Sequence, residues 1–89
     1  RKVEAARALN RRCIYINSMS MPPRPELAVA SKVTSTQSAF EVASEALQIF
    51  GGNGLSREYP IEKMLRDARA SMIEDGCNHV LSLAAAEKL

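Results

Sequence analysis

From Glu26 to Phe50 the apolar residues of this chain fall on two adjacent helical stripes, and the run then stops at Gly51-Gly52-Asn53-Gly54. Val29, Val33, Phe40, Ala43, Leu47 and Phe50 form the main stripe. Ala39, Val42, Ala46 and Ile49 form the second. A helix that is apolar over so much of its surface must be covered on more than one side. The spacing therefore predicts a central helix with others packed around it. Three glycines in four positions end it, because glycine takes a left-handed C-terminal cap at least cost.

The flanking segments repeat the helical spacing. Val3, Ala6, Leu9, Cys13 and Ile16 mark a first helix, with Arg1, Lys2, Arg7, Arg11 and Arg12 mostly off the stripe. It should fail between Ser18 and Pro25, where Met-Pro-Pro-Arg-Pro cannot continue it. Pro60 suits the first position of a third helix, since its missing N–H is not needed there. Ile61, Leu65, Ala68 and Met72 form that helix's stripe. Gly76 marks a break, and Asp75 is placed to cap a fourth helix from about Cys77 to Lys88. No strand alternation or internal repeat is visible. The fold class expected is all-α, an antiparallel four-helix bundle.

Residues 1–89 suffice for a single small domain, which buries only about 60–65% of its unfolded surface and so gains from being covered. The chain opens Arg-Lys-Val-Glu-Ala-Ala already inside a helical pattern, without an N-cap, and reads as part of a longer protein. A net charge of +2 without a Lys/Arg run argues against a nucleic-acid partner. Cys13 and Cys77 lie far apart and fit no metal-ligand spacing, as expected of reduced thiols in an intracellular protein. No apolar run approaches the ~20 residues of a membrane span.

The stretch Ala-Leu-Gln-Ile-Phe-Gly-Gly-Asn-Gly-Leu-Ser-Arg-Glu-Tyr-Pro-Ile-Glu-Lys-Met-Leu-Arg-Asp-Ala-Arg, followed by a short loop, a glycine and a last helix, resembles the C-terminal domain of the acyl-CoA dehydrogenases. The resemblance is closest over residues 46–76 and extends more loosely to Lys2–Leu9. It implies a flavoenzyme with an N-terminal helical domain, a middle β domain and this helical domain, whose first part lies outside the chain. It implies FAD as cofactor, an acyl-CoA substrate, electron transfer to an electron-transfer flavoprotein, and self-association, with a tetramer as the full-length form. The location implied is cytoplasmic, or the mitochondrial matrix in a eukaryote. In the family, the stretch matching Gln48, Ile49, Phe50, Gly51 and Gly52 contacts the ADP half of an FAD bound mainly by a neighbouring subunit. Glycine suits that role because it lets backbone approach a ligand closely. The plainer reading of the same residues is a helix C-cap and turn.

Forming a double bond between the α and β carbons of a thioester needs a base for the α proton. In many family members that base is a glutamate just before the glycine of the loop after the third helix. The pattern places Asp75 at the base position, Gly76 at the substrate-contacting glycine, and Glu74 one step early as a second candidate. Aspartate for glutamate is a departure. The side chain is one methylene shorter, and a misplacement of about 1 Å costs on the order of 100-fold in rate. Asp75 as base in a rebuilt pocket, a base from elsewhere in the protein, and a different activity all stay open, beside the structural reading of Asp75 as a helix cap.

The resemblance also puts Cys77 and His79 near a flavin-contacting turn. Lying two residues apart, they do not face one site on a helix, and no metal site is expected. A lone histidine at a helix start is more commonly solvated than catalytic. Leu55 departs from the aromatic residue common after the last glycine. Arg66 and Asp67 are adjacent and cannot face each other, so each is expected to tie the third helix to a neighbour, beside the plainer reading of a charged surface face. The competing class is a non-catalytic helical module for oligomerisation or partner binding. A helix-turn-helix DNA reader is disfavoured by the near-neutral charge.

Overall fold

In the computed structural model, which describes residues 1–19 and 23–87, the chain forms four α-helices: α1 Lys2–Met19, α2 Pro25–Phe50, α3 Ile61–Ser71 and α4 Asn78–Ala86. The expected all-α antiparallel bundle is what forms. The central part of the proline-rich break, at Met21 and Pro22, and Lys88 at the expected end of α4, lie outside the described residues.

α2 is the spine. Each of the other helices packs on it, and none of the three approaches another closely among the described residues. α1 runs antiparallel along one flank. Lys2 pairs with Glu41 near one end, the Ser35 hydroxyl donates to Asn10 Oδ1 at 3.0 Å midway, and Asn17 Oδ1 accepts the Arg24 N–H at 2.8 Å at the other. That last bond ties the start of α2, where Pro25 occupies the first turn, to the end of α1. α3 and α4 lie end to end on another side. α3 covers the C-terminal half of α2, with the Phe50 and Tyr59 rings edge-on at 5.6 Å and the Arg69 guanidinium 5.4 Å from the Phe40 ring centre. α4 covers the N-terminal half, bringing Asn78 to Thr36.

Cys13, Ala43 and Ile61 form the buried apolar core. The α3 stripe faces inward as its spacing predicts: Ile61 is buried, and Leu65, Ala68 and Met72 are half-buried. The second stripe of α2 behaves otherwise. Val42 and Ala39 are exposed, and Ile49 is 85% exposed. Ala39 and Val42 line an open apolar groove of about 730 Å³ that runs between α1 and α3 over α2, and Ile49 lies outside it. The radius of gyration, 15.3 Å, exceeds the ~12 Å of a compact chain this long. The shape, 49 × 24 × 16 Å, leaves apolar faces that the chain does not cover itself.

Two further expectations are corrected. Arg66 and Asp67 do not reach neighbouring helices. Arg66 bonds Glu62 at 2.7 Å and Asp67 bonds Lys63 at 2.7 Å, both one turn back on α3. The i,i+4 spacing satisfies each charge locally on an exposed face, and it is Arg69 that reaches α2. Pro60 stands just before α3, with helical backbone angles and its carbonyl accepting the Met64 N–H at 3.0 Å.

Candidate functional site: two separate glycine turns along the spine

The first turn follows α2. Gly51 has φ 64° and ψ −143°, and its N–H donates to the Gln48 carbonyl. The positive φ agrees with a glycine cap, but the ψ value is extended and not left-handed helical. The chain then continues as a 3-10 turn over Gly51–Leu55. This geometry is reserved for glycine more strictly than the expected left-handed cap.

The three glycines here do different things. Gly51 supplies the backbone angle. Gly54 is buried, and a β carbon there would meet the Leu47 carbonyl oxygen at 2.8 Å. Gly52 does neither: it has no positive φ, and a β carbon there would meet nothing within 4 Å. Around it Gln48, Ile49, Phe50 and Leu55 are all exposed, and Phe50 alone of these engages a ring, that of Tyr59. A bare backbone flanked by outward apolar and amide side chains is therefore presented to whatever lies beyond the chain.

The second turn joins α3 to α4. The Glu74 N–H still bonds the Ala70 carbonyl at 3.0 Å, and then Asp75 (φ 55°) and Gly76 (φ 97°) both turn left-handed. The loop closes where the Asn78 N–H donates to the Met72 carbonyl at 3.0 Å. Asp75 does not cap α4. Two positive φ values in succession carry the chain past it, and the cap falls at Cys77, whose side chain makes no capping bond. The Asp75 carboxylate is exposed and makes no hydrogen bond or ion pair among the described residues. Glu74 and His79 are exposed and Cys77 is half-buried.

Three residues that sequence reasoning did not single out hold this turn. Lys32 Nζ donates to the Gly76 carbonyl at 2.9 Å and to Asn78 Oδ1 at 2.7 Å. Asn78 Nδ2 donates to Thr36 Oγ1 at 3.0 Å, and the Thr36 hydroxyl donates to the Lys32 carbonyl at 2.8 Å. Asn78 is buried, which a hydrogen bond at each end of its amide permits. A lone lysine among Val29, Ala30, Val33 and Thr34 was the available signal, since a charge in such surroundings needs partners.

The structure does not bring all the expected residues together. Lys32 and Gln48 are sixteen positions apart on one helix, about 24 Å at 1.5 Å per residue. Gln48–Gly52 thus lie at one end of the spine, and Asp75, Gly76, Cys77 and His79 gather near its middle and other end. Among the described residues no group of His, Cys, Asp and Glu could hold a metal ion, and no helix is long and apolar enough to cross a membrane.

Comparison with known proteins gives a consistent picture. The family model described as acyl-CoA dehydrogenase, C-terminal domain, matches residues 1–89. Cyclohexane-1-carbonyl-CoA dehydrogenase of Geobacter metallireducens is 33% identical over 88 residues, which are 99% of this chain and 23% of that protein. A short-chain-specific acyl-CoA dehydrogenase of Megasphaera elsdenii is 39% identical over 79 residues, 89% of this chain and 20% of that protein. A solved structure reported under the heading "Electron transferring flavoprotein of Acidaminococcus fermentans: Towards a mechanism of flavin-based electron bifurcation" superposes with a TM-score of 0.89. It is 33% identical and covers 98% of this chain and 23% of its own. The chain thus spans under a quarter of the length of the relatives it matches.

Proposed function

Because this chain belongs to the acyl-CoA dehydrogenase family, as its C-terminal domain, we propose that it serves an FAD-dependent oxidoreductase that forms an α,β double bond in an acyl-CoA thioester. The observation that carries the reading is the Asp75-Gly76 turn: an exposed carboxylate, without a partner among the described residues, on a left-handed residue held by α2 and α4. Strained backbone that its surroundings over-determine is a mark of a functional site.

In this reading Asp75 takes the α proton as general base, and Gly76 lies against the thioester. FAD, when bound, supplies the acceptor for the β hydride. Gln48, Ile49, Phe50, Gly51 and Gly52 would hold its ADP half in a neighbouring subunit, and Cys77 and His79 would lie near a flavin of their own subunit. The structure fits that division in one specific respect. Among the described residues nothing requires glycine at position 52, which supports a close outside contact there. The roughly 24 Å between the turns means that one chain would serve two cofactors, each completed by another copy.

Self-association, up to a tetramer in the full-length enzyme, belongs to the same proposal and is supported by the uncovered apolar groove. Electron transfer to an electron-transfer flavoprotein and a cytoplasmic or mitochondrial location belong to it too. Loss of the usual glutamate favours the second reading, a helical oligomerisation module without catalysis. The test is to purify the full-length protein carrying this domain and add a panel of straight, branched and alicyclic acyl-CoA thioesters without oxygen. Bound flavin that bleaches with one of them supports the dehydrogenase; a colourless protein, or flavin that none of them bleaches, supports the second reading.

A further inference from the structure

Beyond the residues that would meet substrate or flavin, we infer that Lys32 is a positioning residue for Asp75, fixing the carboxylate through the neighbouring glycine. The inference rests on the reading of Asp75 as the base. The turn itself needs a physical cause. Asp75 at φ 55° is the sole non-glycine residue with positive φ among those described, and Gly76 beside it is the residue best able to move. Left free, a glycine there would let the carboxylate wander over several ångströms.

Two contacts remove that freedom. On one side the Leu81 side chain lies so close that a β carbon on Gly76 would meet its Cδ2 at 2.9 Å. On the other, Lys32 Nζ bonds the Gly76 carbonyl at 2.9 Å, fixing the Gly76–Cys77 peptide plane on the far side of the glycine from Asp75 and so limiting the rotation of Gly76. The ammonium is itself held. Asn78 Oδ1 accepts a second bond from it, Thr36 orients that amide, and the Thr36 hydroxyl closes the ring on the Lys32 carbonyl. Lys32 and Thr36 stand one turn apart on α2, the longest helix, which is the kind of rigid element on which a site is held to sub-ångström tolerance.

A purely structural lysine would hold α4 to α2 and nothing more. The two roles separate in the full-length enzyme. Lys32→Met should leave FAD content and thioester affinity near wild type while slowing flavin reduction about 100-fold, the cost of a displacement of about 1 Å. Lys32→Arg, which keeps charge and donors, should recover part of that rate. Thr36→Val, a milder change that keeps Lys32, should cost roughly 10-fold by loosening Asn78, and it decides the matter should Lys32→Met fail to fold. Independently of activity, amide hydrogen exchange in residues 73–77 should quicken in Lys32→Met and stay unchanged in Lys63→Met, an exposed control on α3. Wild-type reduction rates in Lys32→Met or Thr36→Val, with Asp75→Asn inactive, would overturn the positioning role and leave the base assignment standing. A wild-type rate in Asp75→Asn would overturn both.

Discussion

Gly54 stands directly against Leu47: a β carbon at residue 54 would come within 2.8 Å of the Leu47 carbonyl oxygen and 3.0 Å of its Cγ. The first of these is backbone and cannot turn aside. Gly54→Ala should therefore cost about 1–3 kcal/mol of stability, the usual range for forced overpacking. Urea denaturation checks it, and a midpoint equal to wild type would show that the 3-10 turn shifts freely.

Gly52 should behave in the opposite way. Nothing lies within 4 Å of its would-be β carbon, so Gly52→Ala should change stability by no more than about 0.5 kcal/mol. In the full-length enzyme the added methyl would obstruct the close approach of a ligand and weaken FAD binding about 10-fold, equivalent to some 1.4 kcal/mol. Flavin retention on dilution measures this. Full retention would make Gly52 an ordinary turn residue.

Lys2 and Glu41 bind α1 to the C-terminal half of α2, and this link should show in the pH dependence. The Lys2 hydrogen bond, helped by Gln37, holds the Glu41 carboxyl below its usual 4.5. A carboxyl lowered in the folded state stabilises fully above its unfolded value and loses that stabilisation as pH falls through the folded one. The Tm of wild type should therefore exceed that of Lys2→Met at about pH 6, and the gap should close toward about pH 3. Added salt should narrow it as well, because both partners are exposed. A gap independent of pH would mean that Lys2 acts through packing alone.

Much of this fold could be read from residue spacing, and the reason is visible in α3. Ile61, Leu65, Ala68 and Met72 all face inward because a short amphipathic helix has one way to hide its stripe. α2 was harder. Its double stripe identified the spine, but spacing could not show that one face would stay open, since that depends on what lies beyond the chain. The two turns differed too. Gly51 announced itself as a helix end and Asp75-Gly76 as a break, but that dipeptide did not show that both residues would turn left-handed in succession and displace the expected cap to Cys77. Lys32, Thr36 and Asn78 meet across more than forty positions in sequence, and no short-range pattern joins them.

The open groove implies self-association of the 89-residue chain. Val3, Ile14, Val42 and Met64 are exposed along it, and apolar patches of this kind favour contacts between copies. Sedimentation should show dimers or larger species, and Val42→Asp at the groove floor should shift them toward monomer with the helix content kept. A wild-type monomer at high concentration would leave the groove without this role.

Asp75, as proposed, takes the α proton of a bound thioester. The most direct measurement is the rate of anaerobic flavin bleaching in the full-length Asp75→Asn enzyme, which separates the reductive half-reaction from electron transfer onward. The amide keeps the size of the side chain but cannot accept the proton. A loss of at least about 100-fold is expected, within the 10²–10⁴ range for a general base, with folding and FAD content unchanged. Bleaching at the wild-type rate would contradict it and leave Glu74, or a residue outside this chain, as the base.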